Sequence, residues 1–361
     1  MKTQTADVAI IGGGLIGLLT ARELALAGKR VCILESGQCG KESSWAGGGI
    51  LSPLYPWRYS EAVNQLAKWS QPFYRELSQQ LHSETGIDPE WTLSGILLLD
   101  MDEREQAYQW ATSYSTAIET VTDGIRNLEP GLNPSYDSAL WFPDLAQVRN
   151  PRLVAALIAY VKKLGVQIFE SHAVKSFTHH EVRIVAAETD AGSITAEDFV
   201  IASGAWSAQL ISDLGIRPAV RPIKGQMLLY QTEPGSVSHM VMRKGRYVIP
   251  RRDGRVLVGS TLEDVGFDKQ TTEDARESLK TDAENLIPML KTAKIEKHWA
   301  GLRPGTQDGI PYICKHPQYQ NCYLNTGHFR NGVVLGPASA RHLATLLLGE
   351  TPLFEPYLYQ L

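Results

Sequence analysis

Cysteine is scarce here: 361 residues carry four, Cys32, Cys39, Cys314 and Cys322. They form no C-x-x-C pair and no cysteine–histidine metal spacing, which argues against a disulfide scaffold or a zinc site. So few thiols in no framework fit a reducing cytoplasm. Cys32 falls in a strand-like apolar run and reads as a small buried hydrophobe. A dominant charge is also lacking. A net charge of −4 offers no basic face for nucleic acid or an acidic membrane. No tract is low in complexity, no internal repeat is visible, and there is no G-x-S-x-G elbow or Walker loop. What remains is 43% hydrophobic and 20% charged, the composition of a globular protein with length for two domains.

The most informative stretch is Asp7 to Glu35, DVAIIGGGLIGLLTARELALAGKRVCILE. It reads as strand, glycine-rich turn, helix and second strand. Gly12, Gly14 and Gly17 stand in G-x-G-x-x-G phase directly after Val8-Ala9-Ile10-Ile11. Gly12 permits a tight turn, Gly14 a close approach to pyrophosphate, and Gly17 close packing of helix on sheet. Leu15 and Ile16 open the helix, whose free N–H groups favour phosphate. Glu35, at the tip of VCIL, is placed to accept hydrogen bonds from a ribose diol. Together these features predict dinucleotide binding.

The same segment could be misread as an export leader, with Lys2 ahead of an uncharged stretch from Val8 to Ala21. Asp7 in front of the apolar run, and Arg22 and Glu23 within the supposed leader, argue against it. The stretch also falls short of the roughly 20 apolar residues that span a bilayer.

Downstream, Val63 to Leu81 has helical spacing in which Pro72 starts or kinks a turn. Leu93 to Leu99 reads as a strand, Glu103 to Thr116 as a polar-faced helix, and Leu153 to Leu164 as a helix closed by Gly165. Val166 to Phe169 follows as a strand. Val182 to Val185 and Ile194 to Ala202 bracket the turn at Asp190 to Ser193. Phe199 to Ala202 delivers Ser203-Gly204-Ala205-Trp206 to a loop. Tyr247 to Pro250 pairs with Arg255 to Gly259 across Asp253-Gly254. A last helix is expected from Pro337, in its first turn, to Leu348, stopped by Gly349. The order predicts an α/β protein: a Rossmann-like, doubly wound nucleotide domain interrupted by an antiparallel-sheet α+β domain. Residues 1–86, 146–220 and 301–361 are assigned to the first domain, 87–145 and 221–300 to the second.

Three segments could carry chemistry: Trp299 to Gly309, Asn325 to Gly332, and the strand opening at Tyr247. Arg303 and Arg330, set among glycines and apolar residues, suit a bidentate grip on a carboxylate. Either could equally be a structural arginine bonded to loop carbonyls. Tyr247 is open between substrate contact and packing. His328 reads as a backbone contributor rather than a base. Lys162-Lys163 and Arg251-Arg252 read as solvated surface charge.

The blocks "VIASGAWS", "YVIPRRDGRVLVGST", "WAGLRPGTQDGIPYI" and "GHFRNGVVLGPAS", in this chain order, resemble the FAD-dependent amine oxidases of the D-amino-acid oxidase group. More narrowly they are similar to the glycine oxidases associated with thiamine synthesis. The resemblance implies non-covalent FAD, its ADP part held by the opening βαβ unit. By the same likeness, Glu35, Ser36, Ser43 and Ser44 match ribose and phosphate contacts. Gly48, Gly49 and Ile50 correspond to a stretch against the flavin, Val174 to a backbone contact with adenine, and Gly204 to a cofactor-binding position. His328, Phe329, Arg330, Asn331, Gly332, Val333 and Val334 match the loop that wraps the flavin. Arg303 corresponds to the carboxylate-binding arginine, with Tyr247 and Arg330 beside the substrate.

The implied partners are a small amino acid or amine and dioxygen, in a homo-oligomer without an integral membrane segment. Some relatives carry methionine where this chain has Ile50 and Leu262, and histidine at Gly245, which bears on pocket size. No cysteine in the Arg303 loop suits a covalent flavin link. The competing readings are a flavin dehydrogenase passing electrons to a quinone, a non-catalytic FAD-binding subunit and a NAD-dependent dehydrogenase.

Overall fold

The computed structural model describes residues 4–361, so Lys2 lies outside the described residues. The stretch that mimics a leader is the strand Gln4–Ile11, a turn and the helix Leu15–Leu26. The strand pairs in parallel with Val31–Leu34 on one side and Gly192–Ile201 on the other. Gln167–Phe169 and Cys322–Thr326 extend the parallel sheet outward, and Tyr312–Lys315 closes it antiparallel. Side chains along the central strand alternate between the two faces. Val8 and Ile10 enter a core beneath the helices Leu15–Leu26, Glu61–Thr85, Asn150–Lys163 and Gly332–Leu348. Ala9 and Ile11 enter a second core with Phe177, Ile184 and Phe199. Covered on both faces, this strand is apolar throughout its centre, as parallel sheets require.

The second sheet is almost wholly antiparallel. Its order is Lys294–Gly305, Arg221–Gln231, Arg255–Gly259, Arg246–Pro250, Met240–Arg243, Ile96–Leu98, Ala139–Phe142 and Glu119–Val121. The expected hairpin is present, Tyr247 facing Gly259 and Pro250 facing Val256. One face packs Leu228, Val248 and Val258 under the helix Glu273–Leu286, through Leu279 and Ala283. The other face carries Met227, Tyr247 and Ile249 towards the first sheet. Among the described residues no helix is long and apolar enough to cross a membrane.

Several local expectations give way. The strand expected over Leu93 to Leu99 is two short ones, Thr92–Leu93 and Ile96–Leu98, in different sheets. The chain bends at Gly95, φ 57°, where the Trp141 ring fills the space a side chain would need. Pro337 is not in the first turn of its helix, which starts at Gly332. The strand Lys294–Gly305 stays in the second sheet to its end, so the domain boundary expected at 301 falls inside a strand. Arg251 is not solvated surface charge. It points inward and donates to Gln147 Oε1, to Val148 O at 3.0 Å and to Gly48 O at 2.7 Å. Burial pushes its guanidinium down to about 10. Arg252 remains exposed, paired with Asp88.

All four cysteines are buried and unbridged. Burial pushes the thiols of Cys32 and Cys39 up to about 12 and that of Cys314 up to about 11.

Candidate active site

The parallel strands ending at Ile11, Leu34, Ile201 and Thr326 open at their carboxyl ends onto a cavity of about 560 Å³. Ligands of open α/β sheets bind at this place. The antiparallel sheet forms the opposite wall.

The glycine turn forms one end, where Gly12, Gly14, Leu15 and Ile16 line the space. Gly12 has φ 114°, and a side chain there would meet the Ala202 carbonyl at 2.4 Å. Gly17 does not line the cavity. A Cβ on it would fall 2.0 Å from the Gly12 carbonyl, so it serves the close approach of helix to turn. Glu35 lines the cavity and accepts from the Gly13 N–H at 2.8 Å and the Gly37 N–H at 2.8 Å, bracing the turn from the second strand. Ser44 Oγ accepts from the Leu15 N–H at 2.8 Å and so caps the helix from outside its own chain segment. Ser43 donates to the Leu302 carbonyl, tying this segment to the second sheet. Ser36, Ser43, Val174 and Gly204 line the same region.

The opposite end is built by the second sheet. Gly48, Gly49 and Ile50 line it, with the Tyr247 ring lying against Gly48. Gly49 has φ 81° and its backbone approaches Val148 too closely for any side chain. The half-buried Arg303 rises from the strand Lys294–Gly305 and lies over Gly225 of the neighbouring strand, where a Cβ would fall 2.1 Å from Nη1. The guanidinium donates to Ser260 Oγ at 2.7 Å, Thr261 O at 3.2 Å and Lys224 O at 3.4 Å. Burial, followed in size by its neighbours, depresses its pKa; the Tyr247 hydroxyl beside it opposes that shift, whereas Arg330 adds to it. Among the described residues neither Arg303 nor Arg330 forms an ion pair with a carboxylate, and the Arg330 guanidinium has no hydrogen bond. Two cations at one end of a cavity, neither paired with a described carboxylate, have the chemistry to take an anion.

His328, Phe329, Gly332 and Val333 line the cavity between these ends; Asn331 and Val334 do not. Val334 is in the core, and Asn331 is buried with Nδ2 unpaired among the described residues. His328 is fully buried, its Nε2 2.7 Å from Ser339 Oγ, and burial pushes it down to about 3. It is a neutral imidazole with a committed partner. The residues missed in the sequence include Gly225, Met227, Ser260 and Trp206, all on the cavity wall. A glycine inside the strand Arg221–Gln231 was the available signal for Gly225, since strand glycines mark close backbone approaches.

The fold and the nucleotide turn define a dinucleotide-binding protein. The chain belongs to the FAD dependent oxidoreductase family, whose model matches residues 7–346. It is 47% identical over 354 residues to a glycine oxidase of Pseudomonas aeruginosa, covering 98% of this chain and 97% of that one. The crystal structure of glycine oxidase from Geobacillus kaustophilus superposes with a TM-score of 0.94 at 30% identity, over 99% of each chain. A bifunctional protein ThiO/ThiG of Trichormus variabilis is 32% identical over 366 residues, covering 99% of this chain and 55% of that protein. The residues present fit FAD. A glycine turn without room for side chains meets one end of the cavity, and the other end has the second sheet against Gly48 to Ile50.

Proposed function

We propose that this protein is a glycine oxidase. It would oxidise glycine, and other small primary or secondary amines such as sarcosine and D-alanine, to the imine. The observation that carries the reading is the pair Arg303 and Arg330, unpaired by any described carboxylate and joined by Tyr247 at one end of the FAD cavity. Bound FAD would supply the two-electron acceptor, with dioxygen as the final oxidant and hydrogen peroxide as the product. Gly12, Gly14, Leu15, Ile16, Glu35, Ser36, Ser43, Ser44 and Val174 would hold the nucleotide part. Gly48 to Ile50, Gly204 and the 328–334 segment would hold the rest.

Arg303 would grip the substrate carboxylate, with Arg330 and Tyr247 fixing its orientation. The same two cations disfavour an ammonium beside them, so the amine binds unprotonated, ready to lose electrons. No strong base is needed at the carbon, which fits the neutral, committed His328. Water then hydrolyses the imine to glyoxylate and ammonia, or the imine passes to thiazole formation in thiamine synthesis. The likeness to a ThiO/ThiG protein supports that second fate. Four buried free thiols suit the cytoplasm. Assembly as a homo-oligomer rests on the family likeness alone.

The test is anaerobic mixing of the yellow holoenzyme with glycine, sarcosine and D-alanine, followed by air. Bleaching by glycine, rapid recolouring and peroxide release are expected. Bleaching without recolouring would make the protein a dehydrogenase, and no bleaching by any of the three would overturn the substrate class.

A further inference from the structure

Lysine is seldom buried, yet Lys224 is 1% exposed. Its ammonium donates to Asp268 Oδ2 at 3.1 Å and to the Gln270 carbonyl at 3.1 Å, and lies 3.2 Å from Glu263 Oε2. All three partners belong to one segment, 260–272, between the strand Arg255–Gly259 and the helix Glu273–Leu286. The first residues of that segment hold Arg303, through Ser260 Oγ and the Thr261 carbonyl. The Lys224 carbonyl accepts from Arg303 as well, and from the Glu263 N–H at 3.0 Å.

A charge shielded from solvent costs free energy that a neutral tie would not, even with Asp268 beside it half exposed. A neutral tie already exists on the same strand. Gln226 accepts from the Thr272 N–H at 3.0 Å and donates to Glu263 Oε1 at 2.9 Å. Lys224 therefore does something that fastening the segment does not require. Glu263 stands next to the Arg303 site: its N–H shares the Lys224 carbonyl with the guanidinium, and its carboxylate accepts from the hydroxyl of Thr261, whose own carbonyl holds Arg303. Its charge favours the charged guanidinium. Left unneutralised, it would compete with a substrate carboxylate for that guanidinium.

We propose that Lys224 is a positioning residue for the carboxylate site: it sequesters Glu263 from Arg303 and fixes Ser260 and Thr261, leaving the outer edge of the guanidinium free for substrate. This role rests on Arg303 being the carboxylate anchor.

The test compares holoenzyme variants by the KM for glycine, the limiting rate of flavin bleaching, and the Kd of acetate from the flavin spectrum. Lys224→Met keeps FAD, raises KM and the acetate Kd by roughly tenfold, and changes the limiting rate by less than about threefold. Lys224→Arg recovers most of the affinity. Lys224→Met with Glu263→Gln also recovers it, because the competing carboxylate is gone; a purely structural role would leave that double variant no better than the single one. Should Lys224→Met fail to fold, Lys224→Gln, which keeps a polar side chain against the same segment but removes the charge, decides the matter with a roughly tenfold rise in both constants. Unchanged constants in whichever variant folds, or a double variant as weak as the single one, overturn the role of Lys224. A wild-type protein that neither binds acetate nor is bleached by glycine overturns the substrate reading instead, and this role with it.

Discussion

The buried Tyr74 hydroxyl donates to the Val333 carbonyl, the one that Pro337 leaves without a helical donor four residues on. One turn earlier on the same long helix, Ser70 Oγ accepts from the Ala338 N–H at 3.0 Å. Helix Glu61–Thr85 thus repairs a proline interruption in helix Gly332–Leu348 with two side chains on one face. Val333 lines the FAD cavity, so the repair sits directly behind it.

Tyr74→Phe keeps the ring and strands a buried carbonyl, and should cost about 1–3 kcal/mol. Urea unfolding of the holoenzyme measures it. An unchanged midpoint with an unchanged slope would mean that the carbonyl finds another donor.

Arg303→Ala should retain FAD and lose at least about tenfold in kcat/KM for glycine, since a charge-assisted clamp contributes roughly 1.5–3 kcal/mol. Flavin absorbance and steady-state kinetics on the same sample separate the two effects. Wild-type kinetics would remove Arg303 from the clamp.

Gly225→Ala places a methyl group where the Arg303 guanidinium lies, 2.1 Å from Nη1. The clash is with the free end of a long side chain, so the fold survives and the guanidinium moves. KM should rise by roughly tenfold with little loss of thermal stability. A folded variant with unaltered KM would show that the position of the guanidinium is not critical.

Stability should fall on acidification below about pH 6.5, the ordinary histidine value. Burial holds His328 at about 3 and His316 and His342 at about 4 in the folded state. The unfolded chain therefore binds more protons than the folded one between those values and 6.5, and stability rises with pH through that window. Each imidazole contributes about 1.4 kcal/mol per pH unit there. Urea midpoints at pH 7.5 and 5.5 test the sum, and His316→Asn should flatten the dependence by one histidine's share. Midpoints that do not move with pH would show these rings to be charged in the folded protein.

The nucleotide turn was legible because its glycine pattern is local: Gly17 is a glycine for its contact with the Gly12 carbonyl within the βαβ unit itself, although the Ala202 carbonyl that crowds Gly12 comes from a distant strand. The hairpin at Asp253-Gly254 was legible for the same reason. Pro337 was misplaced because the side chains that accommodate it inside a helix come from Ser70 and Tyr74, hundreds of positions away. Arg251 looked like one of a surface pair, because nothing local distinguishes it from Arg252. The Gln147 side chain and the Gly48 and Val148 carbonyls turn it inward. Arg303 and Arg330 were recognisable as candidates by their apolar, glycine-rich surroundings. That they meet in one cavity follows from the second sheet folding over the first.

The burial of every thiol gives the protein a chemical tolerance of its own product. The proposed reaction releases hydrogen peroxide at each turnover, and peroxide attacks the thiolate, not the thiol. With Cys32 and Cys39 at about 12, only about one molecule in 10⁵ carries either as a thiolate at pH 7, against a few per cent for a free cysteine. The Cys39 sulfur fills the space beside Gly13 in the nucleotide turn, where a bulky sulfinate would push the turn apart. With its thiol held protonated, the Cys39 site beside the nucleotide turn stays closed to that oxidant.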